Sequence, residues 1–320
     1  MKKNSFLALF FVLSISISAQ NELLDASKGK KNVALDLLKE ESKDTTFWTF
    51  PGVTGLNFSQ TAFVNWAEGG QNSISGNALA QLNANYRKNK LLWNNNLSAE
   101  YGMFYSQANT NPTWRKTSDR LGVTSNFGYQ AAKHWFYAAL IDFRTQFNKG
   151  YDYQPDTALL ISSFLTPGYL IASIGMNYIP NEHVSFYLSP TTARFTFVRD
   201  TTLSERYGLD AGKRVKSEFG AYATVLNNFD IMKDVHLNSR LELFSAYETF
   251  GNVVVNWEVL ITMKVNKYVN ASVRTQVRYD DAVKSPKEVV NDDGVAKIEN
   301  VGPPKVQFMD MIAVGFSYNF

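Results

Sequence analysis

Apolar and polar residues alternate along most of this chain, from Val53 to the C-terminus. In the clearest segment, residues 253–265, every odd position carries Val, Trp, Ile or Met, and four of the even positions carry Asn, Glu, Thr or Lys. Successive side chains of a strand point to opposite faces, so this segment has one apolar and one polar face. The same period recurs many times, which predicts an all-β chain.

Twelve segments show this alternation and are separated by connections that are alternately short and long. The predicted strands are residues 53–66, 73–87, 90–106, 117–131, 134–148, 167–180, 183–199, 214–228, 235–248, 252–265, 268–280 and 306–320. Tight connections are predicted at residues 87–90, 132–133, 180–183, 230–234 and 266–267, and longer ones at 107–116, 149–166, 200–213 and 281–305. Pro190 predicts a β-bulge within residues 183–199.

The last strand carries large apolar groups on one face: Phe308, Ile312, Val314, Phe316, Tyr318 and Phe320. A soluble sheet would cover such a face, whereas an outer-membrane barrel exposes it to lipid. The segment resembles the closing strand of outer-membrane barrels, which typically ends in Phe. The resemblance implies that Phe316, Tyr318 and Phe320 form the signal read by the barrel-assembly machinery. We therefore predict a transmembrane antiparallel up-and-down β-barrel of about twelve strands in the cell outer membrane, with short periplasmic turns and longer extracellular loops.

The N-terminus is predicted to be a signal peptide, residues 1–19. Lys2 and Lys3 precede an apolar stretch, and Ser18-Ala19 offers a cleavage site before Gln20. Residues 20–47 lack strand alternation and form a predicted periplasmic extension before the barrel, residues 48–320. A short helix over 32–41 would suit a plug or a docking segment, and a flexible tether is the alternative.

Composition narrows the function classes. Removing Lys2 and Lys3 with the signal peptide leaves 30 basic and 29 acidic residues, a net charge of +1, so no basic surface for nucleic acid is expected. The chain has no cysteine, which excludes disulfides and a lipid-modified cysteine. The mean hydropathy of −0.23 is typical of a soluble protein. A barrel reconciles it with the apolar faces because half its strand positions face a polar interior. A soluble all-β protein is the alternative.

The inward faces of the predicted strands carry charged residues of both signs. They are Glu100, Arg120, Asp142, Arg144, Glu218, Arg240, Glu242, Glu258, Lys264, Arg274 and Arg278. These side chains would either line a charged constriction or fill the lumen as salt bridges between adjacent strands. Eight-stranded barrels are filled by side chains, and sixteen-stranded barrels contain a water-filled channel. A barrel of twelve strands lies between them, so the strand number does not distinguish a filled lumen from an open one.

Catalysis on this scaffold would need a nucleophile or a water activated by histidine. The three histidines, His134, His183 and His236, all lie beside predicted periplasmic turns, and we interpret them as interfacial residues. Their spacing does not predict a metal site, and no cofactor is expected.

One local motif is distinctive: Asn65, Trp66, Gly69, Gly70, Asn72 and Ser73 within N-W-A-E-G-G-Q-N-S, followed by Trp93 to Leu97. This segment resembles the signature of a family of uncharacterised Gram-negative outer-membrane barrels known only as a domain of unknown function. The resemblance implies location and fold but no catalytic residue. We expect a non-enzymatic structural or accessory barrel that engages outer-membrane lipid and a periplasmic or outer-membrane protein partner. A small passive channel is the first alternative and an outer-membrane hydrolase the second.

Overall fold

The computed structural model describes residues 47–61, 73–106, 114–153, 158–266, 269–290 and 296–319. Residues 1–46 lie outside this range, so the predicted signal peptide and all but one residue of the extension are not described. The same holds for Asn65, Trp66, Gly69, Gly70 and Asn72 of the motif and for Phe320 of the insertion signal. Ser73, the last motif residue, begins a strand.

The described chain consists of β-strands joined by turns and loops, with two single-turn 3₁₀ helices at Thr201–Leu203 and Glu205–Tyr207. The strands are β1 Trp48–Thr49, β2 Gly52–Thr61, β3 Ser73–Lys88, β4 Leu91–Ser106, β5 Arg115–Ala132, β6 Trp135–Thr145, β7 Gly150–Tyr153, β8 Ala158–Ser162, β9 Gly168–Tyr178, β10 Val184–Phe197, β11 Val215–Met232, β12 Val235–Ala246, β13 Val254–Lys264, β14 Val269–Tyr279, β15 Ser285–Val290, β16 Ala296–Gly302 and β17 Gln307–Asn319. No helix among the described residues is long and apolar enough to cross a membrane.

Twelve of these strands close into one antiparallel barrel. Around the ring they follow the order β2, β3, β4, β5, β6, β9, β10, β11, β12, β13, β14 and β17. The ring closes where Gly315–Asn319 of β17 pair with Val53–Asn57 of β2. Closure pairs the edges that an open sheet would expose, which a bilayer requires of a β-structure. The predicted fold class is confirmed.

Side chains alternate between lipid and lumen along each barrel strand, as β6 shows most clearly. Trp135, Tyr137 and Ile141 are 44, 60 and 54% exposed on the outer face, whereas Phe136 and Asp142 are 4 and 2% exposed inside.

One acidic residue, Asp310, lies on the outer face of β17, near its extracellular end. Its carboxylate accepts a hydrogen bond from Thr275 Oγ1 (3.0 Å).

Aromatic side chains mark the periplasmic edge of the barrel. The rings of Trp135 and Tyr178 are 4.6 Å apart, and Trp48 packs against Tyr86 and Trp93 at 5.2 and 5.7 Å. All lie next to the short turns or the N-terminal entry of the chain. Aromatic residues favour the level where hydrocarbon meets headgroups, so these rings place the periplasmic boundary of the membrane.

The turns and bulges mostly follow the predicted pattern. Asn89 and Asp234 take positive φ values of 52° and 63° in the tight turns after β3 and β11. The register of β10 against β11 shifts between Ser189 and Thr192, which confirms the bulge predicted at Pro190. The turn predicted over 230–234 is shorter than expected, because β11 continues to Met232. Two of the long loops contain hairpins that alternation did not predict, β7–β8 and β15–β16.

Candidate functional site in the barrel lumen

Charged side chains meet inside the barrel at mid-height, and several of their ion pairs join strands that are not neighbours. Arg120 of β5 donates through Nη1 to Glu258 Oε2 of β13 at 3.0 Å. Five strands separate β5 from β13 in either direction around the ring, so this ion pair spans the lumen between opposite walls. Arg274 of β14 reaches Glu100 Oε2 of β4 at 2.5 Å, and its Nε lies 3.7 Å from Glu258 Oε1. These four residues form a continuous chain of charges across the barrel.

A second cluster joins β6 to β12. Arg144 contacts both carboxylate oxygens of Glu242, at 2.7 and 2.5 Å, and its Nε lies 2.6 Å from Asp142 Oδ1. Arg240 pairs with Glu242 and lies 3.6 Å from Asp142 Oδ2. Both carboxylates are buried, at 5% exposure for Glu242 and 2% for Asp142. We call these eight residues, Glu100, Arg120, Asp142, Arg144, Arg240, Glu242, Glu258 and Arg274, the ion-pair layer.

Neutral groups satisfy the remaining lone pairs of the buried acids. Tyr222 Oη and Asn256 Nδ2 donate to Glu242 at 3.2 and 2.7 Å. Thr124 Oγ1 donates to Asp142 Oδ2 at 2.7 Å, and Asn77 Nδ2 donates to Glu100 Oε1 at 3.0 Å. A buried ion pair is tolerated only when further hydrogen bonds offset the loss of water. The layer is therefore a bonded network rather than loose charges in a channel.

The predicted charged residues outside this layer occupy other levels of the lumen. Glu218 lies above it, 2.9 Å from Lys216 Nζ and 3.4 Å from Arg194 Nη1. Arg278 Nε donates to Asn256 Oδ1 at 3.3 Å. Lys264 lines the lumen near the periplasmic end.

Sequence reasoning missed Arg194, which is 6% exposed inside the barrel and pairs with Asp280 just beyond β14. The bulge at Pro190 changes which positions of β10 face inward, so simple alternation from Val184 does not predict Arg194 inside. The sequence signal that could have identified Arg194 is Pro190, because the β-bulge that it predicts shifts the register of the strand.

Extracellular loops pack together above the ion-pair layer. Val198, Leu203, Tyr207 and Leu209 are at most 7% exposed, and Leu160 and Val283 pack against them. Tyr207 Oη donates to Ile161 O at 2.6 Å, and the Lys284 amide donates to Arg206 O at 2.7 Å. The loops after β10 and β14 thus touch although three strands separate them in the ring, so the contact spans part of the mouth of the barrel. We call this set of six apolar residues the extracellular cap.

Below the ion-pair layer the lumen contains a cavity of about 360 Å³. Its upper wall includes Glu100, Arg120 and Arg274, and it extends to His236 and Lys264 near the periplasmic rim. Carboxamide side chains are frequent in its lining: Asn57, Gln81, Asn94, Asn96, Asn126, Asn177, Asn238, Asn266 and Asn270. Cap, ion pairs and cavity succeed one another from outside to inside, so the accessible part of the lumen faces the periplasm.

The three histidines lie at the periplasmic end, as the topology predicted. His134 and His183 each place Nδ1 3.0 Å from a main-chain oxygen, that of Ile179 and that of Asn228. His236 differs from the interfacial expectation, because it is buried inside the barrel with Nδ1 2.8 Å from Asp230 Oδ1. No group of three or more His, Asp or Glu side chains in the described part of the chain is arranged to hold a metal.

A family model described as "Protein of unknown function (DUF3078)" matches residues 58–151. The match confirms the expected resemblance to an uncharacterised family. It runs from β2 into β7 and includes the N-W-A-E-G-G-Q-N-S segment. No curated protein sequence matches the chain significantly.

Solved outer-membrane proteins resemble the fold at low identity. The NanC porin is 10% identical with a TM-score of 0.38, covering 83% of this chain and 98% of that one. An outer-membrane channel from Pseudomonas putida F1 is 12% identical with a TM-score of 0.38, covering 88% and 100%. An active-site mutant of outer-membrane phospholipase A from Escherichia coli is 9% identical with a TM-score of 0.34, covering 89% and 97%. At these scores the likenesses carry no functional argument. The strand ladder and the exposed apolar wall of this chain themselves identify an outer-membrane β-barrel.

Proposed function

We propose that this protein is a non-enzymatic outer-membrane barrel with a closed lumen and a structural or accessory role toward periplasmic or membrane partners. The observation that carries the proposal is the Arg120–Glu258 ion pair between opposite walls, continued by Arg274 and Glu100. Packed, hydrogen-bonded side chains at this level leave solutes no wide aqueous path. The extracellular cap supports the same conclusion from the outer side.

The surroundings of the histidines support the absence of hydrolytic chemistry. A histidine base needs a nucleophile within hydrogen-bond reach. His236 has the carboxylate of Asp230 on Nδ1, but its Nε2 has no hydrogen-bond partner within the described residues. Within the described part of the chain, the pair thus has the orienting acid of a catalytic triad without the nucleophile that the acid and base would serve.

Conductance in planar bilayers tests the closed lumen against the main alternative, a passive channel. We expect wild-type protein to give no steady unitary current. The double substitution Arg120→Ser and Glu258→Ser removes both charges together, so it leaves no uncompensated charge, and it should add openings that wild type lacks. Glu182→Ser, an exposed charge at the periplasmic rim, is the control and should stay silent.

Steady, open currents from wild-type protein would refute the proposal and favour diffusion of ions or polar solutes. Hydrolysis of lipid or peptide that His236→Ala abolishes would instead revive an enzyme. Crosslinking in native membranes, followed by identification of the attached proteins, would identify the partner that an accessory role requires.

A further inference from the structure

We propose that the cavity below the ion-pair layer is the docking site for an apolar stretch of the chain's own N-terminal extension, residues 33–38. This stretch carries Val33, Leu35, Leu37 and Leu38 and lies outside the described range. The proposal selects the plug over the flexible tether, the two alternatives for this extension. It goes beyond the closed lumen, because it assigns an occupant to the periplasmic half of the barrel.

Four leucine side chains converge on this cavity from around the barrel wall. Leu79, Leu140, Leu226 and Leu260 line it from β3, β6, β11 and β13. These strands are two to four places apart in the ring, and β3 and β11 lie on opposite walls. We call these four residues the leucine ring.

The leucine ring lies directly under the charged roof of the cavity. Leu79 pairs with Glu100 in the β3–β4 ladder, and Leu260 pairs with Arg274 in the β13–β14 ladder. Both leucines and Leu226 are partly exposed, so the described residues do not fully cover them. Barrel interiors that face water are normally polar, and covering aliphatic groups is favourable. The leucine ring therefore selects an occupant with apolar groups.

The size and the mixed lining of the cavity fit a short peptide segment. A dry apolar cavity of about 150 Å³ holds one benzene-sized group, so about two leucine-sized side chains would fill the 360 Å³ found here. The carboxamides of the lining both donate and accept hydrogen bonds, as main-chain amides require. A peptide with aliphatic side chains matches both features, whereas a lipid tail would leave the carboxamides unmatched.

The extension enters the barrel at the end where the cavity opens. The Phe47 carbonyl accepts a hydrogen bond from the Arg87 amide (2.9 Å) at the periplasmic end of β3. Leu79 is eight residues from Arg87 toward the ion-pair layer, about 27 Å along the strand. Leu37 precedes Phe47 by ten residues, which span about 33–36 Å when extended. The stretch can therefore reach the leucine ring without any movement of the barrel.

Charge complementarity favours the same segment. Residues 36–44 carry four acids and two lysines: Asp36, Glu40, Glu41 and Asp44 with Lys39 and Lys43. The described periplasmic turns and adjoining strand ends carry more basic than acidic residues: Arg87, Lys88, Lys90, Lys133, Lys233 and Lys264 against Glu182, Asp230 and Asp234. A short tether also holds its segment at an effective concentration on the order of millimolar. Attraction and tether together favour the chain's own extension over a free ligand.

Thiol labelling tests the proposal, because the chain has no cysteine of its own. Mature protein carrying Leu37→Cys or Leu23→Cys is folded in detergent and treated with a polar maleimide. Leu23 belongs to the same extension but lies outside the docked stretch. We expect Leu37→Cys to react about tenfold more slowly than Leu23→Cys, because the docked side chain is shielded from the reagent.

Polar substitutions in the leucine ring should remove this protection. Leu226→Asn together with Leu260→Asn keeps the side chains similar in size and makes that part of the ring polar, so Leu37→Cys should become fully reactive. Val215→Asn together with Val253→Asn, at the extracellular ends of the same two strands, is the control and should leave the protection intact. Electrophoretic mobility before and after heating shows that each barrel is folded.

A disulfide locates the docked stretch. Leu37→Cys combined with Ser272→Cys, which lines the cavity on β14, should form a link within one chain under mild oxidation. Mass spectrometry of the joined peptides detects it. Leu37→Cys combined with Ser162→Cys, on the extracellular β7–β8 hairpin, should form no such link.

The proposal is overturned if Leu37→Cys and Leu23→Cys react equally fast, or if the protection survives the ring substitutions. It is also overturned if the link to Ser272→Cys does not form, or forms only between two chains, since a second copy would then supply the segment. Conductance of the same preparation tests the closed lumen separately. A silent barrel with a freely reactive Leu37→Cys refutes the docking alone, and a conducting barrel with a protected one refutes the closed lumen alone.

Discussion

At the residue scale, the charges inside this barrel pair within strands and also across the lumen. Glu242 on β12 accepts hydrogen bonds from Nη1 and Nη2 of Arg144 on β6, and Glu100 on β4 accepts one from Nη1 of Arg274 on β14. Each acid is buried, and each is satisfied by more than one donor. In such a network, removing one charged residue leaves its partner buried without an opposite charge. This lowers the stability of the protein more than removing both residues of the pair does.

Glu242→Gln should lower the free energy of unfolding by about 3–5 kcal/mol, because Arg144 and Arg240 would both lose a buried negative partner. Denaturant titration of the barrel in lipid vesicles, followed by tryptophan fluorescence, measures this. Glu248→Gln, on an exposed loop after β12, is the control and should change the value by less than about 0.5 kcal/mol. Equal effects of the two substitutions would contradict the network.

Alternation predicts that the charged residues of the ion-pair layer point inward but not which of them meet. The expected pairs joined adjacent strands, since neighbours in a sheet are the only contacts that a sequence pattern defines. Contacts across a lumen depend on the diameter and tilt of the closed ring, and these follow from the whole set of strand pairings. The cavity below the layer could not be predicted for the same reason.

At the element scale, the strands that cross the membrane are predictable and the loop structure is not. All twelve barrel strands lie where alternation predicts them, with ends that differ by a few residues, because lipid on one side and a polar lumen on the other enforce period two. The hairpins β7–β8 and β15–β16 lie outside the membrane, where no such constraint acts. The cap formed by the loops after β6, β10 and β14 depends on contacts between distant parts of the chain, which periodicity does not record.

The extracellular cap should depend on pH through Tyr207. Burial raises the pKa of this phenol above its ordinary value, and the Arg206 guanidinium offsets only part of the rise. The side chain of an exposed tyrosine ionises at about pH 10. The phenol therefore stabilises the folded cap fully below about pH 10, and this contribution is lost as the pH rises through the higher folded pKa.

Wild type and Tyr207→Phe are titrated with base while the ultraviolet absorbance of phenolate is recorded. The difference between the two titration curves should show one phenolate that appears above about pH 10. In a Leu203→Ala background, which opens the packing around the ring, the same difference signal should move to lower pH. A phenolate that appears at the ordinary value in the intact protein would show that the ring is not buried in solution.

At the scale of the whole molecule, the bilayer acts as the solvent for one face of every barrel strand. The outer wall exposes large apolar side chains that a soluble sheet would bury, including Leu56, Ile174, Ile312 and Phe316 at 66–73% exposure. The same wall cannot face water without aggregation, since exposed apolar patches of this extent drive association. The protein should therefore stay folded and monodisperse in detergent or lipid and not in plain buffer.

Depth in the membrane should set the cost of a charge on this wall. Ile312 lies near the middle of β17 and pairs with Val273, whereas Val306 is equally outward but precedes the strand at its extracellular end. Ile312→Arg should destabilise the barrel by about 2–4 kcal/mol and Val306→Arg by about 0–1 kcal/mol, measured by denaturant titration in vesicles. The two substitutions add the same charge to positions that are 73 and 64% exposed, so exposure alone predicts equal effects. Only a hydrocarbon layer centred on β17 makes Ile312→Arg several times more destabilising than Val306→Arg. Equal losses of stability would mean that this wall does not face lipid.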